Sequence, residues 1–390
     1  MKSITSILLL SLLFTGCKKE ALLVSPKIES ELAKSAYYPT KEISKEYSVS
    51  TFINDTIQKI AQDNLSEILK EYEADHGCVL VMETETGKIC SMVNLTRLKS
   101  GSYKDTLNYA VYEYAEPGSF VKTLDLMALL DDKKADTSAV YSSNNGEIEF
   151  YGQKVRDSHE GGYGDLSLGN ALLYSSNTIF AQAITKAYSS NPKQFTDKFA
   201  QFGLNKDLKL AFGNTNEQFI PQPNTKEWNN LSLPWMSFGY GLTLSPVKIL
   251  TYYNAIANNG EMVKPLFLAE VKNKDGASKV YSKSVLNPKI CSESTVLKIQ
   301  DLMRKVVTNG TGLSCKSDKI AISGKTSTVQ TNYDKDNSTP QYTSGFVGYF
   351  PTQKPKYTVL VLVNNPKVTK EFYGFDMAGS VVRKIAENIK

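Results

Sequence analysis

The chain has 390 residues, 41% hydrophobic and 22% charged, with 45 Lys and Arg against 40 Asp and Glu, for a net charge of +5. That length and apolar content suffice for a sizeable core in one large domain or two small ones. The near balance of charge, with no basic stripe among the aromatics, argues against nucleic-acid binding. The two histidines, His76 and His159, lie far apart in the chain and give a metal site little support.

Met1-Lys2 is followed by "SITSILLLSLLFTGC", an apolar run too short to span a bilayer but suited to the core of a signal peptide. Its end, Leu-Phe-Thr-Gly-Cys, resembles the lipobox of bacterial lipoproteins, with Phe14 where leucine is more usual. On that reading Cys17 is the lipidated first residue of the mature chain, and its acyl chains give a stable membrane anchor. Residues 1–17 are then signal peptide and lipobox, residues 18–47, polar and unpatterned, a flexible tether, and residues 48–390 the folded domain. Cys78, Cys90, Cys291 and Cys315 would be exported with it. They contain no Cys-x-x-Cys pair, and the sequence leaves their disulfide state open.

From Thr51 apolar residues recur at threes and fours (Ile53, Ile57, Ile60, Leu65, Ile68, Leu69), which predicts a helix. "GCVLVMETETGKICSMVNL" (77–95) reads as two strands around a Glu-Thr-Gly-Lys turn. In "EYAEPGSFVKTLDLMALLDD" (113–132) a Pro117-Gly118 turn feeds a strongly apolar helix that Ser119 opens. Helices are expected over 169–188 and 245–260, the second with Ser245 at its N-cap, Pro246 at its first position and a closing Gly260. "KIAISGKTSTVQ", "YTSGFVGYF" and "KYTVLVLVNN" read as successive strands before a final helix in "GSVVRKIAENI". Strands at both ends of the domain with helices between them predict a sheet with helices packed around it, α+β or α/β.

Three stretches carry chemistry. The three-residue spacing puts the Ser119 hydroxyl and the Lys122 ammonium side by side on one helix face. A lysine desolvated in a cleft loses affinity for its proton and can act as base toward that hydroxyl, an arrangement needing no histidine. The same spacing occurs at Ser190/Lys193 and Ser245/Lys248, where an N-capping serine is explanation enough. Ser175-Ser176-Asn177 interrupts an apolar run, where polar groups are costly unless paired. Ser-x-Asn recurs at Ser142 and Ser189, so that signal alone is not specific. Thr326 and Thr328 share one face of a predicted strand and suit a carboxylate, with Lys325 beside them.

In this order the three elements resemble the penicillin-binding transpeptidases, whose hallmarks are Ser-x-x-Lys, Ser-x-Asn and Lys-Thr-Gly. "AEPGSFVK", "LPWMSFGYGLTLSPVKILTYYNAIANNGEMVKP", "VVTNGTG", "SGKTSTVQ" and "FVGYFPTQKPKYTVLVLVNNP" extend the likeness over roughly residues 48–390, nearest to the monofunctional class B cell-division enzymes. The resemblance implies the α+β penicillin-binding/serine β-lactamase-like fold, an antiparallel sheet flanked by helices with an all-helical subdomain. It implies a peptidoglycan D,D-transpeptidase that needs no cofactor, takes D-Ala-D-Ala stem peptides, and is acylated by β-lactams as mimics of them. Ser119 would be the nucleophile and Lys122 its base. Ser175 would pass the proton to departing D-alanine, and Asn177 would orient Lys122 and the donor peptide. Lys325 would keep the local potential positive, and Thr326 and Thr328 would hold the substrate carboxylate. The oxyanion would rest on the backbone N–H groups of Ser119 and Thr328.

There are two departures. Residue 327 is Ser where the family has Gly: its side chain either crowds the substrate in the cleft or points away from it, and because Ser327 shares a face with Lys325 the first is expected. Class B members also carry a transmembrane helix and a pedestal domain, where this chain has a short tether after Cys17; division or elongation proteins as partners therefore have no support in the residues. The alternatives are a class D type serine β-lactamase, whose middle motif ends in an aliphatic residue rather than Asn177, and a non-catalytic wall-binding or scaffold protein. The anchor is tested directly: Cys17→Ser should release the protein from the membrane fraction or stall its processing, and an unlipidated mature N-terminus upstream of Cys17 would refute the lipoprotein reading.

Overall fold

The computed structural model describes residues 30–31, 47–212, 217–332, 340–368 and 374–389. The expected signal peptide, the expected lipidation site Cys17 and most of the expected 18–47 tether lie outside them. Among the described residues no helix is long and apolar enough to cross a membrane.

Successive strand side chains point to opposite faces, and in β1 (His76–Glu83) both sets are buried. Cys78, Leu80 and Met82 join one core cluster, Val79 and Val81 the other. Such a strand belongs in the interior of a sheet covered on both sides. The expected hairpin follows, with β2 (Ile89–Arg97) returning antiparallel to β1 and a short β3 (Tyr103–Lys104) beyond it. Three strands from the C-terminal region, β4 (Ser323–Gln330), β5 (Tyr342–Phe350) and β6 (Tyr357–Asn364), pair antiparallel in sequence, and β6 closes against β1. The spatial order β4-β5-β6-β1-β2-β3 therefore leaves β4 at one edge.

The helices that frame the sheet and the site are α1 (Asp55–Glu71), α2 (Val121–Asp131), α3 (Leu168–Tyr174), α4 (Asn177–Tyr188), α5 (Pro246–Ala257), α6 (Glu293–Asn309) and α7 (Gly374–Asn388). α1 and α7 cover the face carrying Val79, Val81, Val359 and Val361. α2 to α6 build the larger cluster on the opposite face. This is the expected α+β architecture of a sheet flanked by helices, with a helical layer on one side.

Two local expectations change. The helix anticipated from Thr51 starts at Asp55, because the Asn54 side chain accepts the Ile57 N–H at 3.1 Å and caps it. Tyr47–Thr51 is instead a strand paired antiparallel with Leu268–Asn273. The helix expected over 169–188 is two helices, α3 and α4, broken at Ser175, which adopts φ 61°, ψ 37°. Ser176 then caps α4 by accepting the Ile179 N–H at 3.2 Å. Cys78, Cys90, Cys291 and Cys315 are free thiols.

α2 is so deeply placed that Val121 through Leu129 are all buried, including Lys122, Thr123 and Asp125. The Thr123 hydroxyl lies 3.1 Å from the Phe120 carbonyl oxygen and 3.0 Å from the Tyr253 hydroxyl, which itself donates to that carbonyl at 2.9 Å. Both Asp125 carboxyl oxygens are buried without a hydrogen-bond partner. Burial holds its proton affinity well above the ordinary carboxylate value, with Lys122 opposing. A raised folded-state pKa contributes stability that is lost as pH rises through it. Asp125→Asn, which has no proton to lose, should therefore match native stability near pH 4 and exceed it at pH 7.5 and above, as thermal melts at the two pH values will measure.

Candidate active site

The chain enters α2 through a 3₁₀ turn, Gly118–Phe120. Gly118 sits at φ +54° with its N–H donating to the Gly239 carbonyl at 3.2 Å. A Cβ there would lie 2.3 Å from Val329 Cγ2 and 2.6 Å from Ser327 Oγ, so glycine is required by both conformation and space. The turn presents Ser119, half-buried, at the mouth of a cleft of about 540 Å³ that Ser175, Asn177, Thr326 and Thr328 also line.

Lys122, one turn on, is fully buried. Its Nζ lies 2.9 Å from Ser119 Oγ, 2.6 Å from the Ser175 carbonyl oxygen, 2.6 Å from Asn177 Oδ1 and 3.2 Å from Ser175 Oγ. Burial brings its pKa down to about 7, with the Asp157 and Asp125 carboxylates partly offsetting that. A neutral amine has two hydrogens and one lone pair. The carbonyl and the amide oxygen are pure acceptors at short range and take the hydrogens, which turns the lone pair to the Ser119 hydroxyl. The amide orientation of Asn177 is fixed from its other end, where Nδ2 donates to the Arg156 carbonyl at 2.7 Å.

Ser175 reaches this position through its left-handed backbone, which swings its carbonyl and hydroxyl together toward Lys122. Lys325 Nζ donates to the Ser175 hydroxyl at 2.8 Å and to the Thr326 carbonyl at 3.0 Å. The hydroxyl thus bridges two lysines across the cleft. Burial, and secondarily Lys122, push the Lys325 pKa well below the usual ammonium value. That shift works against the standing positive potential expected of Lys325.

Thr326 and Thr328 share the cleft-facing side of β4, as the alternation predicts, and the Thr326 hydroxyl pairs with that of Thr311 at 2.7 Å. Ser327 does not enter the cleft. It does lie on the face of Lys325, but the short side chain turns beneath the nucleophile turn, where its hydroxyl donates to the Pro117 carbonyl at 2.9 Å. The long Lys325 side chain reaches Ser175; a hydroxymethyl group stops at the first obstacle, the Pro117-Gly118 backbone. The placement of Ser327 among the substrate-contacting residues is corrected accordingly.

The competing Ser-x-x-Lys pairs make no such constellation. Ser190 is exposed and Lys193 is paired to Asp197 at 2.6 Å on the surface. Ser245 is buried with no partner for its hydroxyl, and Lys248 donates instead to the Lys206 carbonyl and Gln218 Oε1. A functional residue that the sequence did not disclose is Asp157, which follows the hairpin Glu147–Phe150/Gln153–Arg156. Its Oδ1 accepts the Asn177 and Thr178 N–H groups at 2.6 and 3.0 Å, and its carboxylate also receives the Ser176 and Thr178 hydroxyls. It therefore fixes the start of α4, from which Asn177 reaches Lys122. In sequence it is one acid in the polar stretch "KVRDSHE", with no spacing to mark it.

A buried lysine aimed at a serine hydroxyl, relayed through a second serine to a second lysine, defines a serine acyl-transfer site that uses an amine rather than imidazole as its base. The family profile described as "Penicillin binding protein transpeptidase domain" matches residues 77–387, and the chain belongs to that family. It is 24% identical over 342 residues to the "Probable peptidoglycan D,D-transpeptidase PenA" of Neisseria flavescens, covering 85% of this chain and 80% of that protein. It is 24% identical over 416 residues to the "Peptidoglycan D,D-transpeptidase FtsI homolog" of Mesostigma viride, covering 96% and 67%. The transpeptidase domain of Burkholderia pseudomallei penicillin-binding protein 3 shares the fold, with a TM-score of 0.72 at 24% identity over 87% of this chain and 94% of that one.

With the base near neutrality, covalent labelling by penicillin should speed up as pH rises through about 7, as Lys122 loses its proton. Asp157→Asn keeps an acceptor for the Asn177 N–H but removes the charge that raises the Lys122 pKa. The rising limb should then move to lower pH and the plateau rate fall about two- to tenfold. Labelling rates between pH 5 and 9 will check both; an unmoved limb would reduce Asp157 to a helix cap.

Proposed function

We propose that this chain is a peptidoglycan D,D-transpeptidase acting outside the cytoplasm through a Ser119 acyl-enzyme. Residues 48–390 form the catalytic domain, and lipidated Cys17 holds it at a membrane with the site in the periplasm. The observation that carries the reading is the Lys122 amine, 2.9 Å from the Ser119 hydroxyl with its hydrogens committed elsewhere.

The reaction follows from that geometry. Thr326 and Thr328 receive the terminal carboxylate of the donor stem peptide. Ser119 gives its proton to Lys122 as its oxygen bonds to the carbonyl carbon between the two D-alanines. The oxyanion is held by the backbone N–H groups of Ser119 and Thr328. The proton passes from Lys122 through the Ser175 hydroxyl to the amide nitrogen, the C–N bond breaks, and D-alanine leaves. An amine from a neighbouring stem peptide then attacks the ester, its proton returns along the same relay, and Ser119 is released with a new cross-link formed. Water in place of that amine gives a carboxypeptidase side reaction. No step needs a cofactor. β-Lactams acylate Ser119 because their strained amide and carboxylate occupy the donor positions. The amide of Asn177, bound to Lys122, supports the transpeptidase over a class D type β-lactamase, whose corresponding residue is aliphatic.

Ser119→Ala should abolish labelling by fluorescent penicillin with an unchanged melting curve, since it removes one oxygen from a half-buried position. Lys122→Ala should slow labelling by about a hundredfold or more, the scale of a lost general base. Label retained by the Ser119 variant and carried on Ser190 or Ser245 would overturn the assignment.

A further inference from the structure

The one residue that breaks the family pattern inside the site has a definite place beneath it. Ser327 is 3% exposed, and its hydroxyl donates to the Pro117 carbonyl at 2.9 Å. Its cross-strand partner on β5 is Gly345. A Cβ on Gly345 would lie 2.8 Å from Phe120 Cζ, so the Phe120 ring rests on the backbone there. The nucleophile turn is therefore seated on the β4–β5 pair at two neighbouring points: the Pro117 carbonyl on Ser327 before Ser119, and the Phe120 ring on Gly345 after it. From the other side Gly239 closes on the turn, where a Cβ would lie 2.1 Å from the Gly118 carbonyl oxygen. Pro117, Phe120, Ser327 and Val329 also share the lining of one small pocket beside the turn.

This seating matters because the two backbone N–H groups assigned to the oxyanion belong to different segments. That of Ser119 is on the turn, two residues after Pro117; that of Thr328 is on β4, one residue after Ser327. A glycine at 327 offers no side-chain donor to join them. We propose that Ser327 is a positioning residue: its hydrogen bond to Pro117 holds the turn and β4 at a fixed separation, so that the two amides form one oxyanion site before substrate arrives. The proposal rests on the transpeptidase reading of Ser119 and extends it to a residue that touches no substrate. Preorganised donors lower the barrier to acylation without changing how the ground state binds. The hydroxyl should therefore act on the acylation step and not on affinity.

The test uses the full-length native chain with Ser327→Ala and Ser327→Gly, following acylation by a fluorescent penicillin over a concentration series that separates the limiting rate from the half-saturating concentration. Both variants should lose about two- to tenfold in limiting rate, the scale of one neutral hydrogen bond. The half-saturating concentration and the pH at which labelling rises should stay as in the native chain, because Lys122 and the cleft wall are untouched. The Ala variant separates the two ideas about this residue, since it keeps the Cβ and removes only the donor. A limiting rate unchanged in Ser327→Ala, with only the melting temperature lowered, would overturn the proposal by making the bond merely structural. A faster Ser327→Gly enzyme would overturn it by showing that the side chain crowds the site. A native chain that takes no label at all would instead remove the transpeptidase reading beneath it.

Discussion

Desolvation of the Lys122 amine is the constraint on which the site depends. An ammonium taken out of water loses its hydration and keeps its proton only if charges or acceptors replace what water supplied. Here the replacement is partial. Acceptors close around Nζ, but no carboxylate touches it, and the two acids that influence it, Asp157 and Asp125, act from a distance. The result is an amine near the balance between its two forms at neutral pH. A direct ion pair would have held it protonated and useless as a base. Full solvation would have done the same.

The architecture can be understood as what is needed to bury that amine while leaving Ser119 accessible. α2 runs through the core, so its first turn carries Lys122 inward while the preceding 3₁₀ turn stays at the cleft. The break between α3 and α4 supplies acceptors from main chain and side chain at once, through the Ser175 carbonyl and Asn177. The edge strand β4 forms the opposite wall. Because an edge strand has no further neighbour, it can offer its outer side to the nucleophile turn and to a ligand. Asp157, just after the Glu147–Arg156 hairpin, then fixes the start of α4.

The same logic explains the tolerated irregularities. Ser175 in a left-handed conformation is disfavoured for a residue with a side chain, yet a regular helix over 169–188 would point its hydroxyl and carbonyl along the helix instead of across at Lys122. Asp125, buried with unpaired oxygens, has no such account in geometry beyond its distant influence on Lys122.

Much of this was legible in the chain order of residues. Unbroken apolar runs in "GCVLVME" and "KYTVLVLVNN" suit strands that bury both faces, and Pro-Gly before an apolar run dictates a turn into a buried helix. A three-residue spacing on a helix dictates that Ser119 and Lys122 adjoin. These are local consequences of backbone geometry and need no knowledge of the rest of the fold. Three chemically similar Ser-x-x-Lys pairs, however, are equivalent at that level. What separates Ser119/Lys122 from Ser245/Lys248 is which acceptors distant segments bring to the amine, and only the packing of α4 and β4 against α2 decides it. Asp157 and Ser327 are governed by tertiary structure for the same reason: one holds a helix start twenty residues away in sequence, the other a carbonyl two hundred and ten away. Strand period placed Ser327 on the correct face of β4 and said nothing of what stands before that face. A side chain's direction is set by its own backbone, but its partner is set by whatever the rest of the chain has packed there.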